Sequence, residues 1–256
     1  MAYKKKTYTF PNAIEVEEYH TARYGAPGQV RQKRKKPTPE QIERNNQRQK
    51  EKQCRRKLRM HFDIGDYFTT LTYERDSRPE DMEQAKAHFR EFMRAVRREY
   101  KKRGAAVKWI RNIEVGTKNA WHIHLVINRI PDTDIILRQA WRHGRVASQL
   151  LHDKGEFRDL AAYITKTPKT DSRLREAHYS ASRNLPIPEP KEKTYFRWKT
   201  WKAEPRIPEG FYLDKESVFE GINPVTGYKC RSYTLLRIKR KQTKEKAKGT
   251  TRRKPK

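Results

Sequence analysis

From residue 66 to residue 166 the apolar positions of the chain switch back and forth between the alternation of a strand and the three-and-four spacing of a helix. Residues 67–73, Tyr-Phe-Thr-Thr-Leu-Thr-Tyr, are rich in threonine and aromatics and predict a strand. Over 79–103, Met82, Ala85, Phe89, Phe92, Val96 and Tyr100 form the stripe of an amphipathic helix, closed by Gly104. Two β-branched and aliphatic runs follow, 107–115 and 121–127, and the intervening Gly116-Thr117-Lys118-Asn119-Ala120 has hairpin chemistry. Pro131 and Asp132 stop the second run. Asp132 is placed to cap a short helix carrying Ile135, Ile136, Leu137 and Trp141, which Gly144 ends. A further strand over 145–150 and a helix over 155–166, broken at Thr167-Pro168, complete the order β-α-β-β-α-β-α.

Alternation within the hairpin sorts its residues onto two faces. Trp109, Ile113, Val115, Trp121, Ile123, Leu125 and Ile127 share one, and Asn112, Glu114, His122 and His124 share the other. The first face is expected to take the helices, leaving a polar site on the uncovered side of a central antiparallel sheet in an α+β fold. If Val115 pairs with Trp121, Glu114 lies directly opposite His122. Opposed Cβ atoms in such a pair are about 4.5–5.5 Å apart, so one carboxylate and two imidazoles, Glu114, His122 and His124, are placed to converge on one divalent ion.

The last helix carries a core stripe of Phe157, Leu160 and Ile164, and a second stripe of Asp159, Tyr163 and Lys166. A tyrosine with an ordinary pKa of about 10 is almost wholly protonated at neutral pH and needs nearby positive charge to act as a nucleophile. A bound metal and Lys166 would supply it.

Charge changes the picture outside this region. The chain of 256 residues has a formal net charge of +30, with 34% hydrophobic and 36% charged residues, so its core is modest and its expected partner is a polyanion, most often nucleic acid. Residues 31–59 and 237–256 each carry a net +10, two thirds of the total. They read as basic arms. The helix opening at Thr38-Pro39-Glu40-Gln41, with Thr38 as N-cap, has almost no apolar face and is expected to order on contact with a partner. Neither a membrane span nor a signal peptide is evident, so an intracellular, cytoplasmic protein is expected. Cys54 and Cys230 lack metal-module spacing and read as reduced bystanders.

Phe68-Thr69-Thr70-Leu71-Thr72, His122-Ile123-His124 and Tyr163-Ile164-Thr165-Lys166 occur in an order and spacing that resembles the HUH endonucleases, in particular the single-tyrosine rolling-circle replication initiators of bacterial plasmids, phages and mobile elements. The resemblance runs from about residue 66 to residue 185 and includes Ser182-Arg183-Asn184-Leu185. It implies a ferredoxin- or RRM-like nuclease fold over 66–185, flanked by a basic N-terminal arm with a polar helix (1–65), a Pro- and aromatic-rich accessory segment (186–236) and a disordered basic tail (237–256). It implies Mn²⁺ or Mg²⁺ at Glu114, His122 and His124, attack by Tyr163 on single-stranded origin DNA, a 5′-phosphotyrosine intermediate and a free 3′-OH. Zn²⁺ or Co²⁺ would also suit such ligands. Asp159, one helical turn before Tyr163, is a candidate base for an activated water. No Walker-type loop is present, so a host helicase, along with a host polymerase, is the expected partner.

Relaxases of the family usually place the tyrosine before the histidines, and single-tyrosine transposases typically lack the lysine. A non-catalytic single-strand-binding module is the reading from another class, but it has no use for an imidazole and carboxylate site. The basic runs generate the first prediction. Neutralising several of their lysines and arginines is expected to flatten the salt dependence of DNA binding by about 0.7 in log–log slope per lost contact on single strands, or about 0.9 on duplex. Titrations at a series of salt concentrations check this, and an unchanged slope would assign the runs another role.

Overall fold

The structure is a computed structural model that describes residues 2–20, 37–116, 119–152, 156–166, 179–223 and 226–238. In chain order its elements are β1 (Tyr3–Thr9), β2 (Ala13–His20), α1 (Pro39–His61), β3 (Tyr67–Thr72), α2 (Met82–Lys102), β4 (Trp109–Gly116), β5 (Ala120–Ile127), α3 (Thr133–Ala140), β6 (Val146–Leu150), α4 (Arg158–Thr165), β7 (Tyr179–Ala181), β8 (Lys191–Tyr195), β9 (Phe211–Ile222) and β10 (Lys229–Arg237). They build a mixed α+β molecule with two five-stranded antiparallel sheets, ordered β6-β3-β5-β4-β7 and β8-β1-β2-β10-β9. The hairpin tip at 117–118, the helix break at 167–168, the first part of the basic N-terminal run (31–36) and the tail from 239 onward lie outside the described residues.

The first sheet follows the expected order. Each of the six apolar positions expected in α2 is buried, with Met93 beside them, and Asp81 caps the helix by accepting from the Gln84 N–H. This stripe packs with Ile136, Leu137 and Trp141 on the face formed by Trp109, Ile113, Trp121, Ile123, Leu125 and Ile127. Asp132 precedes α3 but sits at φ 62° and makes no side-chain cap. Instead Thr133 Oγ1 accepts from the Ile130 N–H at 2.8 Å. Gly144 does more than end a helix. A Cβ there would lie 2.2 Å from the Thr72 carbonyl oxygen and 2.7 Å from the Glu74 nitrogen, so only glycine lets the chain enter β6 against the end of β3.

The expectation of helices on one face alone is corrected by the second core. Ile110 and Val126 share the face of Glu114 and the histidines, and they are buried with Cys54, Leu58 and Phe62 at α1 and with Phe157, Ala161 and Ile164 at α4. The face is therefore divided along the strands. Its end nearest the 116–120 turn is polar, and its other end, with Phe68, is apolar and covered by helices.

The N-terminal region is likewise no pendant arm. Residues 3–20 form two strands that pair with β8 and β10, so the segments 1–65 and 186–236 contribute to one sheet. Tyr3 stacks on Tyr195 with ring centroids 4.6 Å apart, and Trp201 packs against Tyr3 and His20. Helix α1 begins with the expected capping box of Thr38 and Gln41. Its partner, however, is in the same chain. Arg56 donates to Glu15 and Glu17, each at 2.6 Å, and Arg59 lies 3.4 Å from Glu15. Burial alone would raise the Glu15 carboxyl, but the hydrogen bonds and charge of Arg56, with Lys52 and Arg59, hold it below the usual carboxylate range. Two guanidiniums of the basic run are thus turned inward, onto carboxylates rather than phosphates.

Among the described residues no helix is long and apolar enough to cross a membrane. Leu58 is fully buried between α1 and the first sheet. Leu58→Ala should therefore cost about 2–5 kcal/mol, read by urea denaturation. A change under about 0.5 kcal/mol, typical of a surface position, would mean that α1 is detached from the core.

Candidate active site

Strand register builds the site. Thr72 and Glu114 flank His122 on either side, Thr70 and Asn112 flank His124, and Phe68 and Ile110 flank Val126. Since residues two apart on a strand share a face, these three rows lie on one surface, polar in two rows and apolar in the third. The expected pairing of Glu114 with His122 is present in the backbone.

The side chains take a diagonal course. Glu114 Oε2 lies 3.4 Å from His124 Nε2, while its other oxygen accepts from Asn112 Nδ2 at 3.0 Å. Thr70 Oγ1 is 3.2 Å from His124 Nδ1, and the Phe68 ring stacks parallel to the imidazole with centroids 5.7 Å apart. These contacts hold the ring and direct Nε2 toward Glu114. Burial would raise the Glu114 carboxyl, but the hydrogen bond and charge of His124, with Tyr163 and Lys166, keep it below its ordinary range.

Helix α4 brings the tyrosine. Phe157, Ala161 and Ile164 anchor it on the apolar row, and Gln47 of α1 donates to the Thr165 carbonyl at 3.1 Å. Tyr163, on the opposite stripe, is 40% exposed, and its hydroxyl lies 2.9 Å from His124 Nε2 and 3.5 Å from Glu114 Oε2. Desolvation first, then the charge of Glu114 and the hydrogen bond to it, push the phenol up to about 12. The phenol is protonated at neutral pH in this environment. Lys166 is exposed just past the end of the helix, where its charge acts on Glu114. Asp159 is exposed, and among the described residues no hydrogen bond or ion pair links it to Tyr163, His124 or Glu114.

His122 stands apart. Its ring centroid is 6.3 Å from that of His124, and its Nδ1 is buried without a hydrogen-bond partner. Burial, then the charge of His124, lowers its imidazole pKa against the opposing effect of Glu114, so the ring is held neutral and keeps a lone pair for a ligand. The donor set of one carboxylate and two imidazoles fits a divalent cation in kind, and an unpartnered buried imidazole nitrogen is the sort of atom that a ligand would satisfy. The expected convergence of three ligands differs from the geometry found: among the described residues no group of three or more His, Cys, Asp or Glu side chains is gathered to hold a metal ion. Glu114 turns to His124 because Asn112 and Tyr163 both draw it along the diagonal.

Thr70, Asn112 and Phe68 are parts of the site to which the sequence assigned no catalytic or ligand role. Their signal was in the register, since Thr70 and Asn112 each fall opposite His124. Ser182 and Asn184 serve the scaffold. The Ser182 N–H donates to the Trp109 carbonyl at 2.8 Å, Asn184 Nδ2 donates to the Val107 carbonyl at 3.0 Å, and Leu185 enters the core.

The family model described as Replication-associated protein ORF2 matches residues 66–168, which span β3 to the end of α4 and contain every residue of this site. No curated protein and no solved structure matches the chain.

The Glu114 charge beside the phenol generates a test of the geometry. In chelator, Glu114→Gln should bring the Tyr163 pKa down from about 12 toward, but not to, its ordinary value of 10, because the repulsion between carboxylate and phenolate is lost while burial remains. Titration of the Tyr163 ring carbon by NMR reads this, and an unmoved pKa would place the carboxylate away from the phenol.

Proposed function

We propose that the chain is a rolling-circle replication initiator that nicks and rejoins single-stranded DNA through Tyr163. The observation that carries this reading is the phenol oxygen 2.9 Å from His124 Nε2 and next to Glu114, within the region similar to replication-associated proteins. A tyrosine on a helix is ordinarily a packing residue; one whose hydroxyl meets an imidazole and a carboxylate on a half-exposed sheet face has the surroundings of a nucleophile.

In the proposed reaction Tyr163 Oη attacks the scissile phosphorus. A bond forms between Oη and phosphorus, the bond from phosphorus to the 3′-oxygen breaks, and the phenol proton leaves to solvent past the exposed flank of the ring. The 3′-oxygen takes a proton from water and becomes a free 3′-OH able to prime a polymerase, while the 5′ side stays on the protein as a phosphotyrosine. Attack by a 3′-OH on that linkage reverses the step and joins strands. A divalent cation held by Glu114, His124 and His122, Mn²⁺ or Mg²⁺ by choice, would polarise the phosphate and favour the phenolate when bound. Thr70 and Asn112 fix the orientation of its ligands, and Lys166 adds positive charge where the phosphate must lie. Host helicase and polymerase are the partners this cycle requires.

Mass spectrometry of the covalent adduct on labelled single-stranded DNA tests the proposal. Tyr163→Phe should fold, bind DNA and form no adduct. His124→Ala should lose metal-dependent nicking while keeping most DNA affinity, and Lys166→Ala should slow nicking without abolishing the adduct. Chelation should stop the reaction and Mn²⁺ restore it. A nucleotide found on Tyr3, Tyr19 or Tyr73 would sink the assignment.

A further inference from the structure

The helix that carries Tyr163 begins against local rules. Arg158 occupies its first turn, where unsatisfied N–H groups carry partial positive charge and a cation is disfavoured. Phe157 before it sits at φ 52°, and no side chain caps the helix. Such departures persist only where tertiary contacts over-determine them. Phe157 is fixed by its burial in the core.

Arg158 is fixed by three carboxylates: Glu156 at 2.7 Å, Asp214 at 3.0 Å and Glu216 at 3.3 Å. Asp214 and Glu216 belong to β9 of the second sheet, at the point where its pairing with β10 shifts. Phe219 is opposite Ser232 and Asp214 is opposite Thr234, so residues 215–218 stand against Tyr233 alone. The bulge is closed by its own hydrogen bonds. The Thr234 N–H donates to Ser217 Oγ at 2.8 Å, Ser217 Oγ donates to the Asp214 carbonyl at 2.7 Å, and the Glu216 N–H donates to Asp214 Oδ1 at 3.2 Å. Bulges of this kind re-aim side chains, and this one aims Asp214, only 12% exposed, at the start of α4.

We infer that Arg158 is a positioning residue and the β9 bulge a brace, through which the second sheet sets where the Tyr163 phenol lies relative to His124 and Glu114. The inference rests on Tyr163 being the nucleophile. An eight-residue helix has little stability of its own, so its rotation is decided by what grips its ends. A small rotation moves an oxygen at the end of a long side chain by on the order of 1 Å, and a misplacement of that size costs about 100-fold in rate.

The test uses the full chain with Arg158→Gln, Arg158→Lys, Asp214→Asn and the Arg158→Gln/Asp214→Asn pair. At saturating single-stranded DNA that the unaltered protein nicks, single-turnover adduct formation should fall about tenfold or more in Arg158→Gln and in Asp214→Asn. The double variant should be no slower than the slower single one, and Arg158→Lys should recover most of the rate. The DNA concentration giving half-maximal rate should hardly move, whereas loss of a phosphate contact would raise it. A second readout needs no activity: the nuclear Overhauser contact between the Tyr163 and Phe68 rings, whose centroids are 6.1 Å apart, should weaken in Arg158→Gln and persist in Arg158→Lys. If the unaltered protein forms no adduct on Tyr163, the nucleophile reading fails while the ring contact still decides the brace. Wild-type rates and an intact ring contact in both Arg158→Gln and Asp214→Asn would overturn the inference.

Discussion

Everything at the candidate site depends on how β5 pairs with β3 on one side and β4 on the other. A slip of one residue in either pairing would send His122 and His124 to the opposite face from Thr70 or Glu114, because side chains alternate with a period of two. The register is held by the large fully buried side chains on the other face, Trp121, Ile123 and Leu125, which have no alternative place in the core. Hydrophobic burial on one side of the sheet thus fixes polar chemistry on the other.

The same face also seats the nucleophile helix. Apolar residues in the row of Val126 hold α4, and the polar rows beside them receive its outward stripe. One continuous strand surface therefore supplies both the anchor and the reactive groups, which keeps the phenol within hydrogen-bond reach of His124 without a dedicated loop. Helix α1 backs this arrangement through Leu58 and Gln47, and it is held in turn by buried ion pairs to the second sheet.

Much of the first sheet was legible because its signals are local. The α2 stripe, the hairpin between β4 and β5 and the pairing of Glu114 with His122 all follow from spacing along the chain. The role of α1 was hidden because its attachment is made by Cys54, Leu58 and two arginines, and arginines in a basic run give no hint that a distant Glu15 will bury them. The second sheet was hidden for a related reason: β1 and β2 find β8 and β10 across most of the chain, and strand pairing at that distance leaves no periodicity to read. At the site, the register was readable but the diagonal turn of Glu114 was not, since it depends on Asn112 and Tyr163 arriving from different directions.

The pairing of β2 with β10 has a consequence for synthesis. Glu18 and Arg231, joined by hydrogen bonds of 2.6 and 2.9 Å, are 213 residues apart in sequence. A ribosome moving from the N-terminus releases β1 and β2 long before their partner strand exists, whereas β3 to β7 are made together. Contacts of such sequence separation form late, because loop closure must precede their reward. During translation the polar face of the first sheet is complete while Asp214 and Glu216 are still unmade, so the grip on Arg158 closes only as the last strands emerge.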